Sequence, residues 1–139
     1  MGIDFGEVRI GLSISDSEKK VAFPLDVIKR EGGSYCLNKL KKIIEDQKLN
    51  IDAFVVGVPY KSNGTAGEQG KKVRDYINCL KNYFSVEVIE WDERFTTSIA
   101  EKTLISGDVS RNKRRNLIDK VSSQIILQSY LDYINAPHP

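Results

Sequence analysis

Four carboxylates, scattered along the chain, each follow a segment that buries itself. Asp4 lies in Gly2-Ile3-Asp4-Phe5-Gly6. Asp92 and Glu93 end the run Val86-Glu87-Val88-Ile89-Glu90-Trp91, and Asp119 stands at the head of the last helix. Each is therefore presented at the rim of a core. Divalent cations need acidic ligands gathered from separate elements. Two ions roughly 4 Å apart would take three or four such acids, one ion activating a water and the other stabilising a leaving oxygen. Oxygen-only ligands suit Mg²⁺ or Mn²⁺ better than zinc.

Each carboxylate also has a plainer reading. Asp4 opens the spacing Asp-x-Gly-x-x-x-x-Gly that ends at Gly11, which bends a hairpin tightly enough for a phosphate or metal to approach the backbone. That spacing is shared by RNase H-like nucleases and the phosphate loops of actin-like kinases; the alternative is a turn aspartate satisfying nearby N–H groups. Asp92 and Glu93 sit at the carboxyl end of a strand, where open α/β sheets put their ligands. Strand alternation sends the two side chains to opposite faces, so one of them is expected to be a ligand. Glu93 continues the row of Ile89 and Trp91, and Asp92 that of Val88 and Glu90; period alone does not choose, and either acid could pair with Arg94 or Lys102. At about 100° per residue, Asp119, Ser123, Ile126, Tyr130 and Ile134 form one helical stripe. A carboxylate on such a seam costs free energy unless something positive meets it. Arg115, one turn earlier, and a metal ion are the two candidates.

The elements that must hold these acids follow from hydrophobic period. Met1–Asp4, Arg9–Ser15 and Val21–Ile28 read as strands, joined by turns at Gly6-Glu7 and Asp16–Lys20, which predicts an antiparallel meander with Pro24 on an edge. Leu37, Leu40, Ile43 and Ile44 recur at helical spacing behind a capping Ser34. Ala53–Val58 is a continuous apolar run, expected of a strand covered on both faces. Thr65-Ala-Gly-Glu68 has capping-box spacing before a helix that turns Val73, Ile77, Leu80 and Phe84 inward. Val86–Trp91 is the fifth strand. Ser98-Ile-Ala-Glu101 starts a short helix ending near Gly107, and the last helix runs from about Arg114 to Asn135. The sum is βββαβαβαα, an α/β chain with right-handed parallel crossovers.

Cations could meet a phosphate backbone. Arg111, Lys113, Arg114 and Arg115 fall within five residues, although such a run is often only a solvated loop. Lys61, Ser62, Asn63 and Thr65 precede a helix amino terminus, which favours anions; an ordinary capped loop explains them equally well. His138, the one histidine, follows Pro137 in the tail and is not expected to be catalytic.

Composition bounds the rest. With 139 residues, 40% hydrophobic and 29% charged, the chain is expected to form a single domain spanning 1–139. A net charge of +2 identifies no partner. Cys36 and Cys79 lack partners at metal spacing and are expected to be reduced. No apolar stretch approaches the roughly 20 residues of a membrane span. Asp4, Glu7 and Arg9 interrupt any signal-like opening, so the expected location is the cytoplasm.

Taken together, these residues resemble the YqgF family, also called RuvX, described as Holliday junction resolvases and pre-16S rRNA nucleases. The likeness covers nearly the whole chain. It runs through Asp4-Phe-Gly6 with Arg9-Ile-Gly11, Ala22-x-Pro24 with Ile28-x-Arg30, and Val55-Val-Gly57-Val-Pro59 with Asn63-Gly64-Thr65. It continues in Asp92-Glu93-Arg94-Phe-Thr96-Thr97, Ile118-Asp119, Ile125-Ile-Leu and Tyr130-Leu131-Asp132. The resemblance implies an RNase H-like fold with a five-stranded mixed sheet of order 3-2-1-4-5 flanked by helices. It implies a metal-dependent nuclease that processes the 5′ end of precursor 16S rRNA. Asp4, Asp92-Glu93 and Asp119 would be its acidic positions, with Asp4, Glu93 and Asp119 holding the metal. Arg9, Lys61, Arg94, Thr96, Thr97 and the Arg111–Arg115 cations would meet nucleic acid. The expected partners are RNA, or branched DNA, and ribosomal precursor particles, with the protein a monomer or weak dimer. Ser122-Ser123 stand where the family often has two alanines, and Asn63 where it commonly has Asp. A junction resolvase, a non-catalytic nucleic-acid module and a kinase-like ATP binder remain as alternatives.

Overall fold

A computed structural model describes residues 1–32, 34–60, 64, 67–95 and 111–137, with the side chains of 95 and 111–117 left aside. Three strands, β1 (Gly2–Phe5), β2 (Arg9–Ser15) and β3 (Ala22–Lys29), form the antiparallel meander. Then come helix α1 (Tyr35–Asp46), strand β4 (Ala53–Val58), helix α2 (Gly67–Tyr83) and strand β5 (Glu87–Asp92). A 3-10 turn at Glu93–Phe95 and the 25-residue helix α3 (Arg111–Asn135) complete the described elements. The sheet order is β3-β2-β1-β4-β5, with β1, β4 and β5 parallel, as the sequence pattern and the resemblance require. The helix expected from Ser98 and the capping Thr65 lie outside the described residues.

Alternation divides the sheet into two faces. Ile3, Phe5, Ile10, Leu12, Phe54, Val56 and Val58 bury themselves against α1 and α2, through Leu40, Val73, Ile77 and Leu80. The other face takes α3, which packs Ile126, Leu127 and Leu131 on Val55 and Ala22. Phe84, expected to point inward from the second helix, does pack against the first core. Ser34 precedes α1 as expected but makes no side-chain capping bond. The fifth strand forms the sheet edge, and its residues are only half-buried or exposed, unlike β4, which is buried from Phe54 to Val58.

Helix α3 approaches the sheet closely because small residues let it. A Cβ at Gly2 would stand 2.8 Å from the Leu127 Cβ, and one at Gly11 would stand 2.7 Å from the carbonyl carbon of Asp119. Between these two, the fully buried Ser13 donates to the Ser123 carbonyl at 2.9 Å and pairs with the Ser123 hydroxyl at 2.9 Å. Ser123, which departs from the family's alanine, is thus satisfied where an unpaired buried hydroxyl would cost about 1–3 kcal/mol. Farther along, Gln128 accepts from the Ala22 N–H at 2.8 Å and Gln124 donates to the Ala22 carbonyl at 3.0 Å, fastening the edge strand β3. Among the described residues no helix is long and apolar enough to cross a membrane. Cys36 is buried, Cys79 exposed, and both are free.

Candidate active site

Strand parity and close packing bring three of the four carboxylates to one place. Asp4 lies on the α3 face of β1, opposite Gly11 of β2. Having no side chain, Gly11 lets the Asp119 backbone sit over the sheet beside it. Glu93 follows β5 on the row of Ile89 and Trp91, which also face α3. Its carboxylate reaches back over β4 at Gly57, where a Cβ would stand 2.5 Å from the Glu93 Oε1 and 2.6 Å from the Ile126 Cδ1. Two glycines, on the strands that flank β1, thus make the floor on which the acids meet.

The electrostatics follow from that crowding. Burial raises the Asp4 carboxyl above the usual range, and the nearby Asp119 adds to the rise, while a hydrogen bond from Glu93 opposes it. Burial likewise pushes Glu93 up to about 8, with the Asp4 charge, the bond to Asp4 and the Asp92 charge acting in the same direction. Both carboxyls are therefore held toward the protonated form, and their hydrogen bond favours the proton on Glu93. Two enclosed like charges in contact have no cheaper way to coexist without a cation. Asp119 is met differently: the Arg9 Nε donates to its Oδ2 at 2.5 Å, both side chains being partly buried.

Asp92 points elsewhere. Arg94 grips it with Nε at 2.9 Å and Nη2 at 2.6 Å from Oδ2, and the Arg94 backbone N–H donates to Oδ1 at 2.9 Å. This side-chain pairing holds the Asp92 carboxyl below its ordinary value. Arg94 also lies over the Tyr60 ring, 5.6 Å from its centroid, at the mouth of the β4 loop. Alternation thus divides the acidic pair as expected, Glu93 toward Asp4 and Asp92 toward Arg94.

The family described as "RuvX: Holliday junction resolvase" matches residues 1–133. The chain belongs to the RuvX family. Among the relatives, a protein of Thermoanaerobacter pseudethanolicus is 42% identical over 133 residues, covering 95% of this chain and 94% of its own length. A protein of Bacillus licheniformis is 41% identical over 138 residues, covering 98% of each chain. One from Clostridium botulinum is 38% identical over 135 residues, covering 97% of each. All three bear the name "Putative pre-16S rRNA nuclease".

In this RuvX chain, Asp4, Arg9, Glu93 and Asp119 come together, and Asp92 and Arg94 stand beside them as a pair of their own. Arg111, Lys113, Arg114 and Arg115 occupy the first turns of α3, which begins at Arg111 rather than near Arg114. Asp119 is consequently in the third turn, not at the head of the helix. Lys61, Thr96 and Thr97 lie outside the described residues, as does the Arg115 side chain. Among the described residues the cation on Asp119 is Arg9, which lies 110 residues away and which helix period could not reveal. A readable signal existed in strand parity, since Arg9, Gly11 and Ser13 share one face of β2 and each meets the 119–123 segment of α3.

Among the described residues no group of three or more acidic, histidine or cysteine side chains forms a set able to hold a metal ion. Two of the acids bond each other and the third turns to Arg9. The donor chemistry nevertheless suits a hard divalent cation, being all oxygen, and the shared proton marks where positive charge is wanted.

Proposed function

We propose that the chain is a divalent-metal-dependent nuclease acting on RNA, with 5′-end maturation of precursor 16S rRNA in the cytoplasm as its role. The observation that carries this reading is the hydrogen bond between Asp4 of β1 and Glu93 after β5, with Asp119 of α3 close enough to perturb Asp4. Nothing in folding requires three acids from such distant positions to crowd one patch of the sheet. The relatives' names support the substrate class.

Asp4, Glu93 and Asp119 would hold Mg²⁺ or Mn²⁺, as one or two ions, which when bound activate a water and neutralise charge on the leaving oxygen. With a cation held there, Glu93 would be ionised and Arg9 would be free to meet a phosphate oxygen beside the scissile bond. Asp92 keeps Arg94 extended at the rim over Tyr60, where it meets a second phosphate. Lys61, Thr96, Thr97, Arg111, Lys113, Arg114 and Arg115 supply further, sequence-blind backbone contacts. Ribosomal precursor particles are the expected partners.

The test is cleavage of a precursor 16S rRNA leader and of a four-way DNA junction, with Mg²⁺ or Mn²⁺, by the wild type, Asp4→Asn and Asp119→Asn. The wild type should cut the leader. Each variant should lose more than about a hundredfold, beyond what an outer-shell change costs, while binding RNA nearly as well. Unchanged cleavage in both variants, or wild-type cleavage insensitive to EDTA, rejects the metal-site reading. Preference for the junction, cut symmetrically by a dimer, rejects the RNA reading.

A further inference from the structure

We infer that the cleft between the β1–β2 turn, the end of β3 and α3 is the track for a single nucleic-acid strand leaving the carboxylate site, with Lys29 and Lys120 as its phosphate contacts. The inference rests on the nuclease reading and extends it to the route of the substrate. The cleft, of about 380 Å³, is lined by Val8, Arg9, Asp26, Val27, Lys29 and Lys120.

Three observations assign it. First, the β2–β3 register sets Arg9 directly opposite Lys29. Like charges at that position in an antiparallel pair repel and destabilise the sheet. The parity that turns Arg9 toward Asp119 turns Lys29 to the same side. Second, two of the three cations keep their charge unpaired among the described residues. Arg9 is the only one of the three cations with an ion pair among the described residues, through Nε to Asp119, and Lys29 and Lys120 have none. The single carboxylate of the lining, Asp26, accepts from the Val27 N–H at 2.8 Å. Third, the cleft is continuous with the site. Lys120 adjoins Asp119 in α3, and Arg9 belongs to both. An anion that follows Arg9 away from Asp119 arrives between Lys29 and Lys120. Val8, 57% exposed at the turn, offers an apolar surface against which a base can lie.

A polyanion supplies Lys29 and Lys120 with the counter-charge that Arg9 already finds in Asp119. Because the cleft is small, about 380 Å³, and its cations come from both walls, a single strand suits it better than a duplex. The contacts are to phosphates, so they carry affinity without sequence preference.

The experiment measures binding of a fluorescent single-stranded RNA 12-mer in EDTA across a salt series. It compares the wild type, Lys29→Gln, Lys120→Gln, the double variant, and Lys42→Gln/Lys72→Gln on α1 and α2 as a control. All these positions are at least partly exposed. Each lost contact should lower the slope of log Kd against log salt by about 0.7, so the double variant by about 1.4, with affinity about tenfold weaker near 0.1 M salt. The control should match the wild type. In Mg²⁺, the double variant should raise KM by a similar factor and leave kcat within about twofold. An unchanged slope in the double variant, or an equal loss in the control, overturns the strand track. Wild-type RNA binding that shows this slope change but yields no metal-dependent cleavage leaves the track standing and sinks the nuclease reading instead.

Discussion

The placement of Asp119 depends on an absent side chain at Gly11, the cross-strand partner of Asp4. In Gly11→Ala, the new Cβ would overlap the Asp119 carbonyl oxygen and stand 2.7 Å from its carbonyl carbon and 3.4 Å from its Cα. These are backbone atoms of a long helix, so no rotamer relieves the clash. Ordinary carbon contacts begin near 3.5 Å, so α3 must retreat by roughly 0.8 Å or more at this turn. That retreat lengthens the Ser13–Ser123 bonds one turn on and loosens Ile126 and Leu127. Overpacking of this kind typically costs about 1–3 kcal/mol, to which a weakened buried hydrogen bond adds about 1. The melting temperature should fall by roughly 10 °C. Cleavage should fall further than stability explains, because a catalytic group misplaced by about 1 Å can lose a hundredfold. Gly32→Ala is the matched control, since nothing lies within 4 Å of its added Cβ. Thermal melts with cleavage assays well below both transitions check the argument. If Gly11→Ala melts within a degree or so of wild type and cleaves within twofold, the close approach of α3 does not position Asp119.

Two further outcomes follow from the divided acidic pair. Glu93→Gln should abolish metal-dependent cleavage, whereas Asp92→Asn should keep it within about tenfold and act mainly through KM, because Asp92 serves by holding Arg94; equal losses would place both acids in one role. The Glu93 carboxyl, displaced upward from 4.5 to about 8, binds more protons folded than unfolded between those values. The metal-free protein should therefore lose stability as pH rises from about 4.5 to 8, by on the order of 3 kcal/mol relative to Glu93→Gln. Asp92, whose carboxyl is displaced downward, works in the opposite sense below its ordinary value, so the difference between wild type and Glu93→Gln reports the linked Asp4–Glu93 pair. Millimolar Mg²⁺ should remove the alkaline loss by taking the proton's place. Urea melts between pH 5 and 8.5 decide, and parallel profiles with and without Glu93 would refute the shared proton.

The sheet was legible because β period speaks plainly in short strands. Ile10, Leu12 and Ile14 alternate with small residues and did become β2. Ala53–Val58, with no polar break, became the buried strand β4. The same parity rule sent Glu93 and Asp92 apart. It could not choose between them, because the choice depends on which face receives α3. That choice is made by Gly2, Gly11 and Gly57, whose missing side chains admit the helix from residues far away in sequence. Arg9 was legible as a cation but not as the partner of Asp119, since helix spacing offers only local partners such as Arg115. The absence of a capping bond at Ser34 has a related cause: a side chain that can cap need not do so where packing of Cys36, Leu40 and Ile43 already fixes the helix.

The ion-free site resolves its charge with what the chain owns. A hydrogen bond joins Asp4 and Glu93, which burial holds toward the protonated form, and one guanidinium lies on Asp119. Both neutralising groups are removable, and neither leaves a buried charge stranded if a divalent cation arrives. A hydrophobic replacement of these acids would stabilise the sheet at lower cost, as it often does for buried ion pairs. Their convergence from three distant positions is what the proposed binding role requires. The same logic separates Arg9 from Lys29 across the β2–β3 pair. Arg9 has an internal anion to meet when the site is empty, and Lys29 has none among the described residues, so an anion from outside is drawn to the Lys29 side. Carboxylates that wait for cations and cations that wait for anions lie side by side on one face of the sheet. That is the charge pattern a metal-assisted enzyme needs to hold a phosphodiester.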